Sequence, residues 1–82
     1  MLFLECPDQL EGCLCDFIVM PEDCCHSAKG LTADQAALVE PLSIGHYAVQ
    51  LSGVLKDKKV GILGSGPIGL SVLLSARVAG AS

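Results

Sequence analysis

Three groups of residues in this 82-residue chain have the types and spacing to do chemistry. The first is Gly64-Ser65-Gly66-Pro67-Ile68-Gly69, a G-x-G-x-x-G turn. A short apolar run, Val60-Gly61-Ile62-Leu63, leads into it, and an apolar segment rich in small residues follows to Gly80. The run has the length and bounding of a buried strand, and the following segment those of a helix. Strand, glycine turn, helix is the arrangement in which a backbone receives the pyrophosphate of a dinucleotide. Gly64 permits the tight turn, Gly66 lets the backbone approach the phosphates, and Gly69 lets the helix pack close to the strand. Pro67 falls in the first helical turn, where its missing N–H costs nothing. The free N–H groups of that turn then face the phosphates. The acidic residue that holds the ribose in such folds belongs about 20 residues further on, beyond Ser82.

The second group is a single carboxylate. Glu40 lies in a run otherwise uncharged from Gln35 to Lys56, next to Pro41. A carboxylate in apolar surroundings is costly without a partner. It reads either as a helix-end residue turned to solvent or as a carboxylate directed into a cleft, toward a metal, a metal-bound water or a substrate hydroxyl. The third group is Cys6, Cys13, Cys15, Cys24 and Cys25, with His26 beside the last. There is no C-x-x-C, the count is odd, and no export signal precedes them, so a disulfide framework is not expected. Free cysteines acting as small hydrophobes fit better than a zinc site, and His26 reads as a surface or turn residue.

The elements that must position these groups can be read in order. Residues 1–12 form an irregular lead-in with Pro7, Asp8 and Gly12. Cys13 to Met20 is β-branched and apolar and reads as a strand. Pro21-Glu22-Asp23 turns the chain, a short extended piece follows around Cys24–His26, and Lys29-Gly30 breaks it again. Thr32 is then an N-cap with Gln35 three positions on, a capping box, and Asp34 suits the helix dipole. The helix from Ala33 to about Val39 should stop at Pro41, since the residue before a proline is pushed out of helical geometry. A second helix is expected from Pro41 to Leu51, closed by Gly53. Lys56-Asp57-Lys58-Lys59 makes a charged turn before the central strand.

Composition narrows the class. Eighty-two residues make at most one small domain. Apolar content is high at 51%, aromatic content is only 4% and mean hydropathy is +0.57, which suits interior helix and strand of a larger α/β protein. A net charge of −4 and a pI near 4.8 offer no basic patch to nucleic acid or to an anionic membrane. The Met-Leu-Phe-Leu start meets Glu5, Pro7 and Asp8 at once and lacks a basic n-region, so no signal peptide is expected. Residues 60–80 carry Pro67, Arg77 and repeated glycines, which a soluble βα unit explains better than a membrane span. The expected location is cytoplasmic.

In order and spacing these motifs resemble the zinc-dependent medium-chain alcohol and polyol dehydrogenases. Gly12-Cys13-Leu14-Cys15-Asp16-Phe17-Ile18-Val19-Met20-Pro21 is similar to the strand that ends the family's catalytic domain. Leu31-Thr32 through Ala36-Ala37-Leu38-Val39-Glu40-Pro41-Leu42 is similar to the family's "LS-x-E-x-AAL-x-EPL". Val60 to Gly80 resembles its cofactor-binding strand, glycine turn and helix. The match covers nearly the whole chain, and the Glu-Pro-Leu step points to the sorbitol dehydrogenase-like branch.

The resemblance implies an α/β fold. Residues 1–39 would end a GroES-like β catalytic domain, and residues 40–82 would hold a linking helix and the incomplete start of a Rossmann domain. It implies that Gly64, Ser65, Gly66, Pro67, Ile68 and Gly69 bind the pyrophosphate of NAD or NADP, with Pro41 and Leu42 on the nicotinamide side. Glu40 would be the catalytic-site glutamate that contacts zinc directly or through water. The family's principal zinc ligands and structural cysteine cluster fall outside this sequence, and Cys6 to Cys25 do not replace them. Tyr47 stands where many relatives carry His, so no role passes to His46. The chain is thus expected to be an internal segment of an enzyme that moves hydride between an alcohol or polyol and NAD(P), a homo-oligomer when full length, and inactive in isolation. The alternatives are a non-catalytic remnant that associates with an intact paralogue, and a small cysteine-rich metal-binding protein.

Overall fold

The computed structural model describes residues 12–53 and 55–82. The expected lead-in over residues 1–11, and Cys6 with it, lies outside them. A single 3-10 turn, Glu22–Cys24, precedes two helices, α1 (Ala33–Leu51) and α2 (Pro67–Val78).

Helix α1 begins as its sequence dictates. The Thr32 hydroxyl accepts from the Gln35 N–H at 3.2 Å, and the Thr32 N–H donates to Gln35 Oε1 at 2.9 Å. Two donors that a helix start leaves unpaired are thereby satisfied. Pro41 does not divide the helix: α1 runs through it to Leu51, where a break and a second helix were expected. One proline deletes one N–H, the bond that would reach Ala37, while the bonds on either side remain. The half of α1 beyond Pro41 also packs against α2, which offsets that loss. The helix closes with Ser52 as cap, its hydroxyl donating to the Ala48 carbonyl at 2.8 Å, and Gly53 follows at φ +82°.

Helix α2 starts at Pro67 after an N-cap of Gly66 and ends before Gly80, whose φ is +89°. Arg77 in its last turn complements the helix dipole and donates to the Ala81 carbonyl at 3.3 Å. The two helices meet at Gly45 and Ser71. A Cβ placed on Gly45 would lie 2.5 Å from the Ser71 carbonyl carbon and 2.7 Å from its carbonyl oxygen. No side chain fits there, so glycine sets the approach distance. Ser71, 5% exposed, satisfies its buried hydroxyl by donating to the Pro67 carbonyl at 2.7 Å. Beside this crossing sits a small core of Val49, Ala76 and Ala81, flanked by Leu55 and Val72. The Asp57 N–H donates to Gly80 and the Ser82 N–H to Lys58, both at 2.9 Å, tying the turn before the glycine motif to the end of α2.

Neither expected strand forms. Cys13–Met20 and Val60–Leu63 carry no ladder, and the described residues contain no sheet. A strand satisfies its backbone only through a neighbour, and neither segment has one. Leu14, Phe17, Val19 and Leu63 are almost wholly exposed. The α/β expectation is therefore met by the helices and the turn but not by the sheet. The piece around Cys24–His26 is also corrected, since Cys24 closes the 3-10 turn and extended backbone begins at Cys25. Cys13, Cys15, Cys24 and Cys25 are free, as expected, but exposed rather than buried as small hydrophobes, because no packing layer lies over them. Among the described residues no helix is long and apolar enough to cross a membrane.

Candidate functional site

The glycine turn is built from three glycines with three different constraints. Gly64 adopts φ +108°, a conformation that side chains rarely tolerate. Gly69 lies so close to the Gly64 carbonyl that a Cβ there would collide with it, and the Ile62 side chain is also at 3.8 Å. Gly66 is different again: its φ is −75°, and nothing lies within 4 Å of where its Cβ would point. One glycine bends the chain, one seats the helix on the turn, and one leaves the backbone open to approach.

Behind this opening stands the start of α2. No side chain caps it, no acidic residue occupies its first turn, and Pro67 fills the first position. The Ile68 and Gly69 N–H groups fall in the first turn, where a helix supplies no acceptor. Unpaired donors and the positive end of a helix dipole together make an anion-binding surface.

The crossing of α1 over α2 opens a groove of about 420 Å³ next to the turn. Leu38, Pro41 and Leu42 of α1 face Ser65, Pro67 and Leu70 across it. Of the residues singled out from sequence, the structure thus brings Pro41, Leu42, Ser65 and Pro67 to one place, with Gly64, Gly66 and Gly69 in the adjoining turn. Ile68 is half-exposed and does not line the groove. Glu40 also stays outside it, exposed on α1 and within the helix rather than at a bend. A second groove of about 490 Å³, lined by Leu42, His46, Val49 and Leu74 among others, contains no residue of the glycine turn.

Two positions were missed by sequence reading, Gly45 and Ser71, which set how closely the helices approach. A signal was present. Glycine inside a helix costs about 1 kcal/mol relative to alanine, so a mid-helix glycine calls for a packing reason.

Over all 82 residues the chain is 40% identical to an L-arabinitol 4-dehydrogenase of Aspergillus oryzae, and it covers 21% of that protein. Over 73 residues, 88% of this chain, it is 41% identical to the sorbitol dehydrogenase of Rattus norvegicus, covering 20% of it. A probable D-xylulose reductase A of Aspergillus niger is 34% identical over 73 residues, again 88% of this chain and 20% of that protein. No family model and no solved structure matches. By name, these relatives are dehydrogenases and a reductase. The chain belongs to the medium-chain polyol dehydrogenase family, in its sorbitol dehydrogenase-like branch. It spans about a fifth of the length of the curated relatives it matches.

Proposed function

We propose that this chain supplies the cofactor-facing segment of an oxidoreductase that moves hydride between an alcohol or polyol and NAD(P). The observation that carries the reading is the Gly64–Gly69 turn, open at Gly66 and backed by an uncapped helix start. In this reading the turn and the first α2 amides receive the pyrophosphate, and Pro41 and Leu42 form the apolar wall on the nicotinamide side. Bound there, the nicotinamide supplies the hydride chemistry. The residues of this chain hold the cofactor's charge against the helix start and keep water from one side of its ring.

Zinc is a different matter. Among the described residues no three His, Cys, Asp or Glu side chains gather where an ion could sit. That donor set does not fit a zinc site. In this reading Glu40 is the carboxylate that approaches the reacting hydroxyl in the assembled protein. The same reading has residues 1–39 ending a catalytic domain and residues 40–82 beginning a cofactor domain in which Val60–Leu63 is a paired strand. A cytoplasmic homo-oligomer completes it, with the 82-residue chain inactive by itself because its apolar faces stand uncovered.

The test is a chimera in which this chain replaces the matching 73-residue segment of the rat sorbitol dehydrogenase. The expected outcome is NAD-dependent sorbitol oxidation, with Gly66→Val raising the KM for NAD at least tenfold and Glu40→Gln lowering kcat. A chimera that folds and melts like the parent yet neither binds NAD nor turns over sorbitol would sink the proposal and make the segment a remnant.

A further inference from the structure

The groove at the glycine turn has its walls on two helices, Pro41 and Leu42 on α1 and Ser65 and Pro67 at the start of α2. Its width is therefore the separation of the helices, and one crossing fixes that. Gly45 lies four residues after Pro41, and Ser71 four residues after Pro67. Residues four apart share a face of a helix and stand about 6 Å apart along its axis. The crossing thus sits one turn below both prolines. Ser71 itself lines the groove, and its hydroxyl spans that turn by donating to the Pro67 carbonyl at 2.7 Å. Gly45 is buried and stays out of the lining.

This crossing has no slack. A Cβ on Gly45 would lie 2.5 Å from the Ser71 carbonyl carbon, against 3.4–4 Å for ordinary contact. That carbon is backbone and cannot rotate aside as a side chain can. Relief requires the helices to part by about 1 Å, and a close-packed contact transmits such a shift. Pro41 and Leu42 then move together away from the start of α2. We propose that Gly45 is a positioning residue for the dinucleotide: by setting the approach of α1 to α2, it sets the reach from the pyrophosphate turn to the nicotinamide wall. The inference rests on the cofactor reading above and adds to it a residue outside the groove. A ligand held at both ends senses the width of the groove, whereas a ligand held only at the turn does not. A shift of about 1 Å, made far from the chemistry, can cost about 100-fold in rate.

The experiment has two parts. In the 82-residue chain, a nuclear Overhauser contact is expected between a Gly45 Hα and the Ser71 Hβ protons. Its absence would mean that the helices do not meet here, and would overturn the proposal. In the sorbitol dehydrogenase chimera, calorimetry measures binding of NAD and of ADP-ribose, which keeps the pyrophosphate but lacks the nicotinamide. Gly45→Ala should weaken NAD on the order of tenfold and leave ADP-ribose unchanged, whereas Gly66→Val should weaken both. Ser71→Gly takes a Cβ out of the same crossing and serves if Gly45→Ala does not fold. It should show the same selective loss to a smaller degree. Equal losses of both ligands in a crossing variant, or no loss of either, overturn the inference and leave the cofactor reading intact. An unsubstituted chimera that binds neither ligand overturns the cofactor reading itself, and this inference with it.

Discussion

Residues 32–53 and residues 60–63 were both expected to be regular structure, and only the first became so. The difference lies in where each finds its hydrogen bonds. A helix pairs its backbone within itself, and α1 adds a capping box at one end and a positive-φ glycine at the other. Val60–Leu63 has no such internal partner, and Leu63 stands fully exposed. Local signals suffice for a helix. A strand is a property of two segments, and among the described residues Val60–Leu63 pairs with no second one.

The contrast is sharpest at Leu63. In the 82-residue chain, Leu63→Ala should change stability by less than about 0.5 kcal/mol, as for other surface positions. In the sorbitol dehydrogenase chimera, where the proposed sheet buries this residue, the same change should cost about 2–5 kcal/mol. Paired thermal melts decide it, and equal effects in both contexts would break the comparison. The helix crossing should respond next. Gly45→Ala places a methyl against the Ser71 backbone, and overpacking of this kind costs about 1–3 kcal/mol. Denaturant titration of the helical signal measures it, and a neutral result would mean the helices are not held at this distance. Thr32→Ala should cost about 1 kcal/mol by removing the N-cap. The loss should show as faster amide exchange in the first turn of α1, while α2 is unaffected. Gly66→Ala is expected to be the mildest, within about 0.5 kcal/mol. Its backbone is ordinary and its Cβ meets open space, so a larger effect would mean the turn is more crowded than described.

How much of this was legible depends on the reach of each signal. Thr32 with Gln35, Gly53 after the last turn of α1, Pro67 at the start of α2 and the bend at Gly64 are all decided within a few residues, and all were readable. The family was readable too, because its motifs keep their order and spacing. Pro41 misled because a proline's local preference was weighed without the packing of α1 on α2. Gly45 carried a signal as a mid-helix glycine, but its partner Ser71 lies 26 positions away in sequence, and what the pair does shows only where the helices meet. At the candidate site the glycines announced themselves, whereas the groove that joins Pro41 and Leu42 to Ser65 and Pro67 exists only once the helices cross. Glu40 shows the converse. Its sequence setting drew attention, and the chain by itself leaves it on an exposed face.

The two backbone bonds between residues 57–58 and 80–82 have a consequence of a topological kind. They pin together the ends of a loop that contains the whole glycine turn and all of α2. Such a loop is closed much as a staple would close it, and the entropy of closing a loop grows only slowly with its length. The turn and the helix behind it are thereby coupled into one opening unit. The amide protons of Asp57 and Ser82 should exchange together, and at the same moment that the phosphate-facing end of α2 comes free.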